Sequence, residues 1–334
     1  MQIVELGNAA DAASSPVEFE WPATVNLQGK TILAFGGAGN LSETFIKAAA
    51  TCGARIALVD RPPSEEAPRK EFDERVRGIG RALSAISQSS EATADDKAPI
   101  ALYADITDLD DVLAAVSEVK SRFGTIDIAI DFAGRQHPTF DLVNDPPERL
   151  VDTFRSVIDL NLNGAFIFTL ALARVMVPQR HGHIIHLCSN ASRLSLYASY
   201  GYNASKHGVE GLVKTAAAQL APFGVRVNGL APGTVVTDLN RALTCGPDGE
   251  LRPRAKSILA HTPTKRFLTR EGVAETLLSM CVEQRHLTGN LIFPDDGYNV
   301  EGHSWPEGNE AVYAGAEVLD TLYRELADKF PPEE

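Results

Sequence analysis

Short apolar runs alternate with longer amphipathic stretches along most of the chain. The apolar runs are continuous, as expected of parallel strands that are buried on both faces. They predict seven strands, at residues 31–35, 55–59, 100–103, 126–132, 183–187, 225–230 and 290–293. Helical patterns occupy residues 41–50, 108–123, 165–177 and 202–221. This alternation predicts an α/β fold, a parallel sheet with helices on both faces.

Two longer segments do not follow the alternation. Residues 61–98 are charged and contain proline and serine, and we expect one helix there between two surface loops. After the last strand, residues 311–330 have the pattern of a final amphipathic helix. The expected organisation is therefore an N-terminal extension at 1–28, one domain at 29–300 and a C-terminal extension at 301–334 with a helix.

Composition narrows the class of protein. The chain has 334 residues, of which 44% are hydrophobic and 22% are charged, as in ordinary soluble globular proteins. Its net charge of −13 argues against a nucleic-acid partner, which usually faces a basic surface. No apolar run approaches the ~20 residues needed to cross a membrane. The first residues lack a signal-peptide pattern, so we expect a cytoplasmic protein.

Cysteines and histidines offer few candidates for metal binding. The four cysteines form no CxxC pair and are expected to be buried thiols in a reducing compartment, although one reactive thiol is left open; they are Cys52, Cys188, Cys245 and Cys281. His181, His183 and His186 cluster in sequence. His183 and His186 fall inside one predicted strand and would point to opposite faces, so we predict no metal site.

A glycine-rich turn follows the first predicted strand. Residues 36–42 read GGAGNLS and lead into a helical pattern. Glycines permit a tight turn and a close approach of a pyrophosphate, to which the helix N-terminus presents oriented N–H groups. The match to G-x-G-x-x-G is imperfect because Ser42 stands in the last place, and a plain strand–helix turn is the alternative reading.

Asp60 strengthens the interpretation of that turn as a dinucleotide site. It ends the second predicted strand, about 20 residues beyond Gly39, where an acid accepts hydrogen bonds from the adenosine ribose. A carboxylate at this point also repels the 2′-phosphate of NADP, so we expect NAD to be preferred. Arg61 follows at once and is either a modifier of that preference or a solvated loop residue.

Tyr202 and Lys206 lie four residues apart in the motif YNASK, on one face of a predicted helix. A nearby ammonium favours the phenolate, which makes a phenol a usable proton donor and acceptor nearer neutral pH. The same spacing is common in surface pairs. Ser189 supports the chemical reading, because it ends the fifth predicted strand and ligands bind beyond the carboxyl ends of parallel strands.

Taken together, these motifs resemble the short-chain dehydrogenase/reductase family, classical type. The glycine turn, Asp60, Asn161 in NLNG, Ser189, the YNASK motif and APGTVVT at 231–237 occur in that family's order over roughly residues 27–300. The resemblance implies one Rossmann-like doubly wound domain with a seven-stranded parallel sheet, a nicotinamide cofactor and no metal. It also implies a homodimer or homotetramer that pairs through the helices after the fourth and fifth strands.

The resemblance assigns four catalytic positions. Tyr202 is the general acid/base at the substrate oxygen, and Lys206 favours its phenolate form and binds the nicotinamide ribose. Ser189 orients the substrate oxygen, and Asn161 holds a kink and a water in the proton relay. The positions implied at the cofactor are Gly36, Gly37, Gly39, Asn40, Leu41, Asp60, Arg61, Asp105, Ile106, Phe132, Ala133, Gly134, Tyr202, Lys206, Pro232, Gly233, Val235 and Thr237.

The sequence departs from the family pattern mainly at the cofactor end. Phe35 replaces the threonine before the glycine turn, and Asp131-Phe132 replaces the usual Asn-Asn before Ala-Gly. At Asp131 the chain loses an amide donor that normally ties strands together. The motif PDDGY at 294–298 stands where the family often has V-D-G-G.

Substrate choice is expected in the loops, with residues 234–262 as a polar lid. Candidate substrate contacts are Gln136, His137, Asn190, Arg193, Asp238 and Arg241. The motifs TPTKRF and LTGN are similar to those of members acting on sugars, polyols and sugar acids, which we take as the expected substrates of an alcohol dehydrogenase or ketone reductase. The alternatives are a more apolar, steroid-like or aromatic alcohol, and a non-catalytic NAD-binding sensor or scaffold.

Overall fold

The fold is built on a parallel sheet. The computed structural model describes residues 25–61, 63, 66–88, 98–137, 140–196, 198–237, 241–246, 249–282 and 286–300. Within these ranges it has seven strands, β1 Thr31–Phe35, β2 Arg55–Asp60, β3 Ile100–Tyr103, β4 Ile128–Asp131, β5 Gly182–Leu187, β6 Val225–Leu230 and β7 Leu291–Ile292. All neighbouring pairs are parallel.

The strand order locates the site. The order is β3-β2-β1-β4-β5-β6-β7, so the chain winds outward from β1 in one direction and returns to β4 on its other side. In such a sheet a crevice opens beyond the carboxyl ends of the strands at which the winding reverses. Here that crevice lies between the loops that follow β1 and β4.

Helices flank the sheet. The longer ones are α1 Asn40–Thr51, α2 Glu66–Gln88, α3 Leu109–Phe123, α4 Pro147–Ile158, α5 Gly164–Gln179 and α6 Tyr200–Leu220. Three further helices, α7 Arg241–Thr244, α8 Pro253–Ala260 and α9 Arg270–Cys281, follow β6. A π-helical turn at Asp159–Asn163 joins α4 to α5.

The core lies on both faces of the sheet, which explains why the strands are continuously apolar. Along β1, Leu33 and Phe35 pack into one cluster of buried side chains. Ile32 and Ala34 alternate with them and pack into the other cluster. Since successive side chains point to opposite faces, both sets must be apolar for helices to cover both faces.

The seven predicted strands and the fold class are confirmed, with shifts at the ends. The predicted strand 126–132 is shorter, Ile128–Asp131, and the strand predicted at 55–59 extends to Asp60. The helix expected within 61–98 is α2. Helices α4, α7, α8 and α9 were not predicted. The helix predicted at 311–330 and residues 1–24 lie outside the described residues, whereas Leu27 is already buried against the domain.

One continuous helical run in the described part of the chain, Pro147–Gln179, is long and apolar enough by composition to cross a membrane. Part of it is buried within the domain, where α5 contributes Phe168, Leu172 and Met176 to the core. A core helix of a globular domain passes the same test of length and composition, so the run is weak evidence for a membrane span.

The cysteine side chains are free thiols. Burial raises the pKa of Cys188 to about 12 and that of Cys281 to about 12. Burial also raises the pKa of Cys52. Because the thiolate is the nucleophile, these three thiols are poor candidates for the reactive cysteine that the sequence left open.

Candidate active site

The glycine turn after β1 forms a cradle between two loops. Gly36 has a φ of +69°, and a Cβ added there would lie 2.7 Å from the backbone nitrogen of Ala133. A Cβ on Gly37 would lie 2.5 Å from Cγ of Leu58. Neither position has room for a side chain, so steric crowding explains why both residues are glycine.

The turn delivers the chain to the N-terminus of α1. Gly39 is the residue that caps this helix, and no side chain bonds to its first N–H groups. Asn40 and Leu41 begin the helix, so their backbone N–H groups face the crevice end of α1. A helix N-terminus with a glycine cap and a close backbone approach fits the pyrophosphate of a dinucleotide.

Asp60 lies at the end of β2, next to this turn. Its carboxylate accepts hydrogen bonds from the backbone N–H groups of Ala38, at 2.9 Å, and of Arg61, at 2.8 Å. Burial raises the pKa of Asp60, against the lowering effect of these two bonds and of Arg75 and Arg61. The carboxyl group therefore both shapes the glycine turn and stands where an adenosine ribose would lie.

Arg61 turns toward Asp105. Its Nη1 lies 2.9 Å from Oδ2 of Asp105, while two-thirds of the Arg61 side chain is exposed. Burial raises the pKa of Asp105, but bonds from Thr107 and the Arg61 guanidinium outweigh it and leave the pKa below its ordinary value. Ile106 is buried beside them and packs on Gly164 of α5.

The loop after β4 is held by a hydrogen-bonded pair inside the sheet. Asp131 accepts a hydrogen bond from the backbone N–H of Ala133, at 3.0 Å, through Oδ1. Its Oδ2 lies 3.3 Å from Nδ1 of His186, its register partner on β5. His186 also contacts Oγ1 of Thr169 on α5, at 2.9 Å. The tie between strands that we expected Asp131 to lose is therefore supplied by His186.

Asn161 fixes the far end of that loop. Its side chain lies in the π-helical turn, accepts a bond from the backbone N–H of Arg135, at 2.9 Å, and donates to the carbonyl of Arg135, at 3.0 Å. It also donates to Oγ of Ser205 on α6, at 3.0 Å. The widened π turn thus lets Asn161 hold the loop and α6 together. Ser205 was not identified from the sequence, although it stands inside YNASK.

Tyr202 and Lys206 are one turn apart on α6. Both side chains are almost fully buried, and Nζ of Lys206 lies 5.8 Å from the centre of the Tyr202 ring. Lys206 donates to the carbonyl of Leu187 at the end of β5, at 2.6 Å. A Cβ added at Gly134 would lie 3.5 Å from Oδ1 of Asn161 and 3.7 Å from Nζ of Lys206. The loop after β4, the π turn and α6 therefore converge.

Ser189 and its neighbours follow β5. Oγ of Ser189 accepts a hydrogen bond from the backbone N–H of Ala191, at 3.1 Å. Asn190 is buried, and its backbone N–H donates to the carbonyl of Pro232, at 3.4 Å. Gly233 in turn donates to the carbonyl of Pro294, at 2.9 Å. The loops after β5, β6 and β7 are joined in this way.

Other predicted positions have varied surroundings. His137 is buried, accepts a bond from the backbone N–H of Gly201, at 3.2 Å, and stacks on Phe140, so it braces the start of α6. Arg193 lies 3.7 Å from Glu210 and 4.7 Å from the centre of the Phe293 ring. The remaining positions are half-buried Phe132 and Gln136, buried Val235 and Thr237, exposed Arg241 at the start of α7, and Asp238, which lies outside the described residues.

The three clustered histidines have different partners. His183 contacts Nδ2 of Asn228 on β6, at 2.9 Å, while His186 faces Asp131 and α5. His181 lies 3.4 Å from Asp127 at the amino edge of the sheet. The described residues hold no group of three or more His, Cys, Asp or Glu side chains placed to bind a metal ion.

Comparison with known proteins identifies the class. A family model described as enoyl-(acyl carrier protein) reductase matches residues 41–299. The chain belongs to the short-chain dehydrogenase/reductase family of NAD(P)-dependent alcohol dehydrogenases and ketone reductases.

Particular relatives show how widely the family varies. Xanthoxin dehydrogenase of Arabidopsis thaliana is 30% identical over 84% of this chain and 93% of its own length. Zerumbone synthase of Zingiber zerumbet is 29% identical over 84% and 98%. The structure of a gluconate 5-dehydrogenase from Burkholderia cenocepacia, in complex with NADP and tartrate, is 27% identical, covers 83% of this chain and 97% of its own, and has a TM-score of 0.69.

Proposed function

We propose that this protein is an NAD-dependent dehydrogenase that oxidises a secondary alcohol, a polyol, sugar or sugar acid, and reduces the matching ketone in reverse. The observation that carries the proposal is the meeting of Asn161 and Lys206 at Gly134, with buried Tyr202 beside Lys206 on α6, next to the loop of Ser189. A buried phenol beside a buried ammonium, at the carboxyl edge of a parallel sheet, suits proton exchange with a substrate oxygen.

The chain's own residues supply the proton chemistry. The chemistry that a bound nicotinamide would supply is the acceptance or return of a hydride at the substrate carbon. Tyr202 takes the hydroxyl proton during oxidation and returns it during reduction, and Lys206, anchored on the carbonyl of Leu187, favours the phenolate form. Ser189 orients the substrate oxygen. Asn161 holds the loop of Gly134 against α6, which fixes the positions of Tyr202 and Lys206 relative to that loop.

The expected cofactor preference depends on Asp60. Its carboxylate lies at the end of β2, beside the glycine turn, where it would accept bonds from a ribose and repel a 2′-phosphate. Arg61 is engaged by Asp105, which reduces its availability for such a phosphate. The gluconate 5-dehydrogenase above was solved with NADP, the cofactor that Asp60 is expected to disfavour in this protein.

Two classes of substrate have support. The polar motifs of the 234–262 loops and the similarity to a gluconate 5-dehydrogenase favour sugar acids and polyols. Relatives named for xanthoxin and zerumbone favour the second candidate, a more apolar alcohol. We favour the polar class because two buried polar side chains are linked to the loop of Ser189: Asn190 follows Ser189 directly, and Asp295 is joined to Asn190 through Asn299.

The test is a fluorescence titration with NADH and NADPH, followed by turnover assays with both classes of alcohol. Tight NADH binding, weak NADPH binding and turnover of polyols or sugar acids are the expected results. Tighter NADPH binding would contradict the role given to Asp60. Turnover confined to terpenoid or aromatic alcohols would establish the second candidate, a dehydrogenase of apolar alcohols. Cofactor binding without turnover of either class of alcohol would favour a non-catalytic NAD-binding sensor or scaffold.

We also expect a homodimer or homotetramer in the cytoplasm. Exposed apolar side chains lie on the helices after β4, with Val151 and Phe154 on α4 and Phe166 on α5. A second copy covering them would remove this apolar surface from water. Light scattering at micromolar concentration checks the expectation, and a monomer there would contradict it.

A further inference from the structure

Asn190, the residue after Ser189, is oriented by the segment that follows β7. Asn299 donates through Nδ2 to Oδ1 of Asn190, at 2.7 Å, across 109 residues of sequence. The same Nδ2 donates to Oδ2 of Asp295, at 2.7 Å. Both hydrogens of the Asn299 amide are therefore used on oxygens.

Asp295 sets the direction of these bonds because every group around its carboxylate is a donor. Its Oδ1 accepts from the backbone N–H of Gly297, at 3.1 Å. Its Oδ2 accepts from the backbone N–H of Asn299, at 2.8 Å, as well as from the side chain. Asp295 is almost fully buried, so the turn and the carboxylate hold each other in place.

The Asn299 amide cannot be reversed without placing oxygen against oxygen. A reversed amide would bring Oδ1 toward Oδ2 of Asp295, which accepts and does not donate. In the observed orientation, Oδ1 of Asn299 is shut from solvent and has no hydrogen-bond partner among the described residues. Asp295 therefore imposes this orientation, even though the orientation leaves one polar atom of the Asn299 amide without a hydrogen bond in the ranges that the structure describes.

The consequence falls on Asn190. Because its Oδ1 is taken by Asn299, its Nδ2 must point the other way. That nitrogen has no hydrogen bond in the described part of the chain and is not among the polar atoms shut from solvent. A side-chain donor therefore remains available immediately after Ser189, in a residue that is otherwise buried.

We propose that Asp295 and Asn299 position Asn190 as a hydrogen-bond donor to a second substrate oxygen, the hydroxyl or carboxylate on the carbon next to the reacting one. The proposal rests on the proposed function and refines its substrate class to alcohols with an adjacent oxygen. Asn190 is the specificity-determining contact, and Asp295 and Asn299 are positioning residues that act through it.

The experiment compares cyclohexane-1,2-diol with cyclohexanol, which lacks the second oxygen, using the full-length protein and NAD. Asn190→Asp replaces the donor by an acceptor at constant shape. Asn299→Leu removes the donor that orients Asn190 and, unlike an aspartate, places no second carboxylate against Asp295. Asn290→Asp is the matched control, since this exposed amide lies at the amino end of β7. NADH titration of each variant checks that the cofactor site is intact.

The wild-type protein should prefer the diol, and either site variant should raise KM for the diol by about 10- to 100-fold, the scale of a lost hydrogen bond in a substrate pocket. The loss of cyclohexanol turnover should be smaller than the loss of diol turnover, because cyclohexanol does not make this contact, and NADH binding should be retained. An Asn190→Asp/Asn299→Leu double variant should lose no more than Asn190→Asp, because both changes act on one donor.

Two results would overturn the proposal while leaving the dehydrogenase function in place. One is equal use of both alcohols by the wild-type protein, and the other is an equal loss on both alcohols in the Asn190 variant. Absence of turnover with every alcohol, despite NADH binding, would reject the proposed function and this inference together.

Discussion

The proposed nicotinamide end and the proposed adenosine end of the cleft hold their residues in different ways. At the nicotinamide end, Asn161 and Lys206 are buried and bonded to backbone carbonyls of Arg135 and Leu187. At the adenosine end, Arg61 and Asp105 form a solvent-exposed pair beside a backbone turn. Buried bonds allow little adjustment, whereas exposed charges are screened by water. Substitutions should therefore have sharp effects at the first end and graded effects at the second.

The largest effect is expected for Tyr202→Phe at the nicotinamide end. Loss of the phenolic oxygen removes the proton carrier, so turnover should fall by at least ~100-fold, the scale of general acid/base catalysis. NADH affinity should be retained. Tyr200→Phe is the matched control, because Tyr200 lies on the same helix but is exposed. Steady-state rates decide the matter, and unchanged turnover in the Tyr202 variant would reject its role.

The second-largest effect is expected for the buried pair of Asp131 and His186, which lies in the sheet between the two ends of the cleft. Asp131→Ala leaves His186 buried with a lost partner and frees the loop of Ala133, so we expect a loss of about 3 kcal/mol in the free energy of unfolding. Asp131→Asn keeps an acceptor and should lose less. Urea denaturation measures both. If the Asp131→Ala/His186→Ala double variant lost the full sum of the two single losses, the pair would not be coupled.

At the adenosine end, Gly36→Ala tests the backbone cradle. The φ of +69° and the 2.7 Å approach to Ala133 leave no room for a methyl group. We expect NADH affinity to fall by about 30-fold, from strain of a few kcal/mol shared between folding and binding. Gly80→Ala on α2 is the control, since nothing lies within 4 Å of a Cβ there. Equal NADH titrations of the two variants would exclude a role for the cradle.

A smaller effect is expected for Asp60→Asn, which tests the charge alone. Without the carboxylate, NADH should bind about 10-fold more weakly and NADPH should no longer be excluded, since a hydrogen bond to a charged group is lost and a repulsion is removed. Parallel titrations with the two nucleotides measure this change. An unaltered NADH/NADPH ratio would assign the preference to another residue.

Asp60 also predicts a pH dependence. Because burial raises its pKa above the ordinary 3.8, the group takes up a proton at a higher pH than a solvated aspartate. Its contribution to NADH binding should be complete above the raised pKa and disappear as the pH falls through it. Its effect on folding of the free protein has the opposite sign, with stability lost as the pH rises through that pKa. NADH titrations across mildly acidic pH should show the dependence in the wild-type protein and not in Asp60→Asn.

The sequence predicted most of the fold because its signals are local. Continuous apolar runs marked all seven strands. It did not reveal α4, which begins at Pro147 among charged residues and buries only Val157. Within the site, the spacing of Tyr202 and Lys206 indicated a shared helical face. The bonds from Asn161 to Arg135 and Ser205 had no signal in the sequence.

Sequence alone determined the type of layer structure and the pairing of Tyr202 with Lys206, because hydrophobic period and helical spacing act over a few positions. The resemblance to the family added Asn161. Tertiary structure decided which distant residues support them. The pair of Asp131 with His186 exists because β4 and β5 are neighbours with these two residues in register. The bond from Asn299 to Asn190 requires the segment after β7 to return to the loop after β5. Contacts of this kind depend on the order of strands in the sheet, which no local pattern encodes.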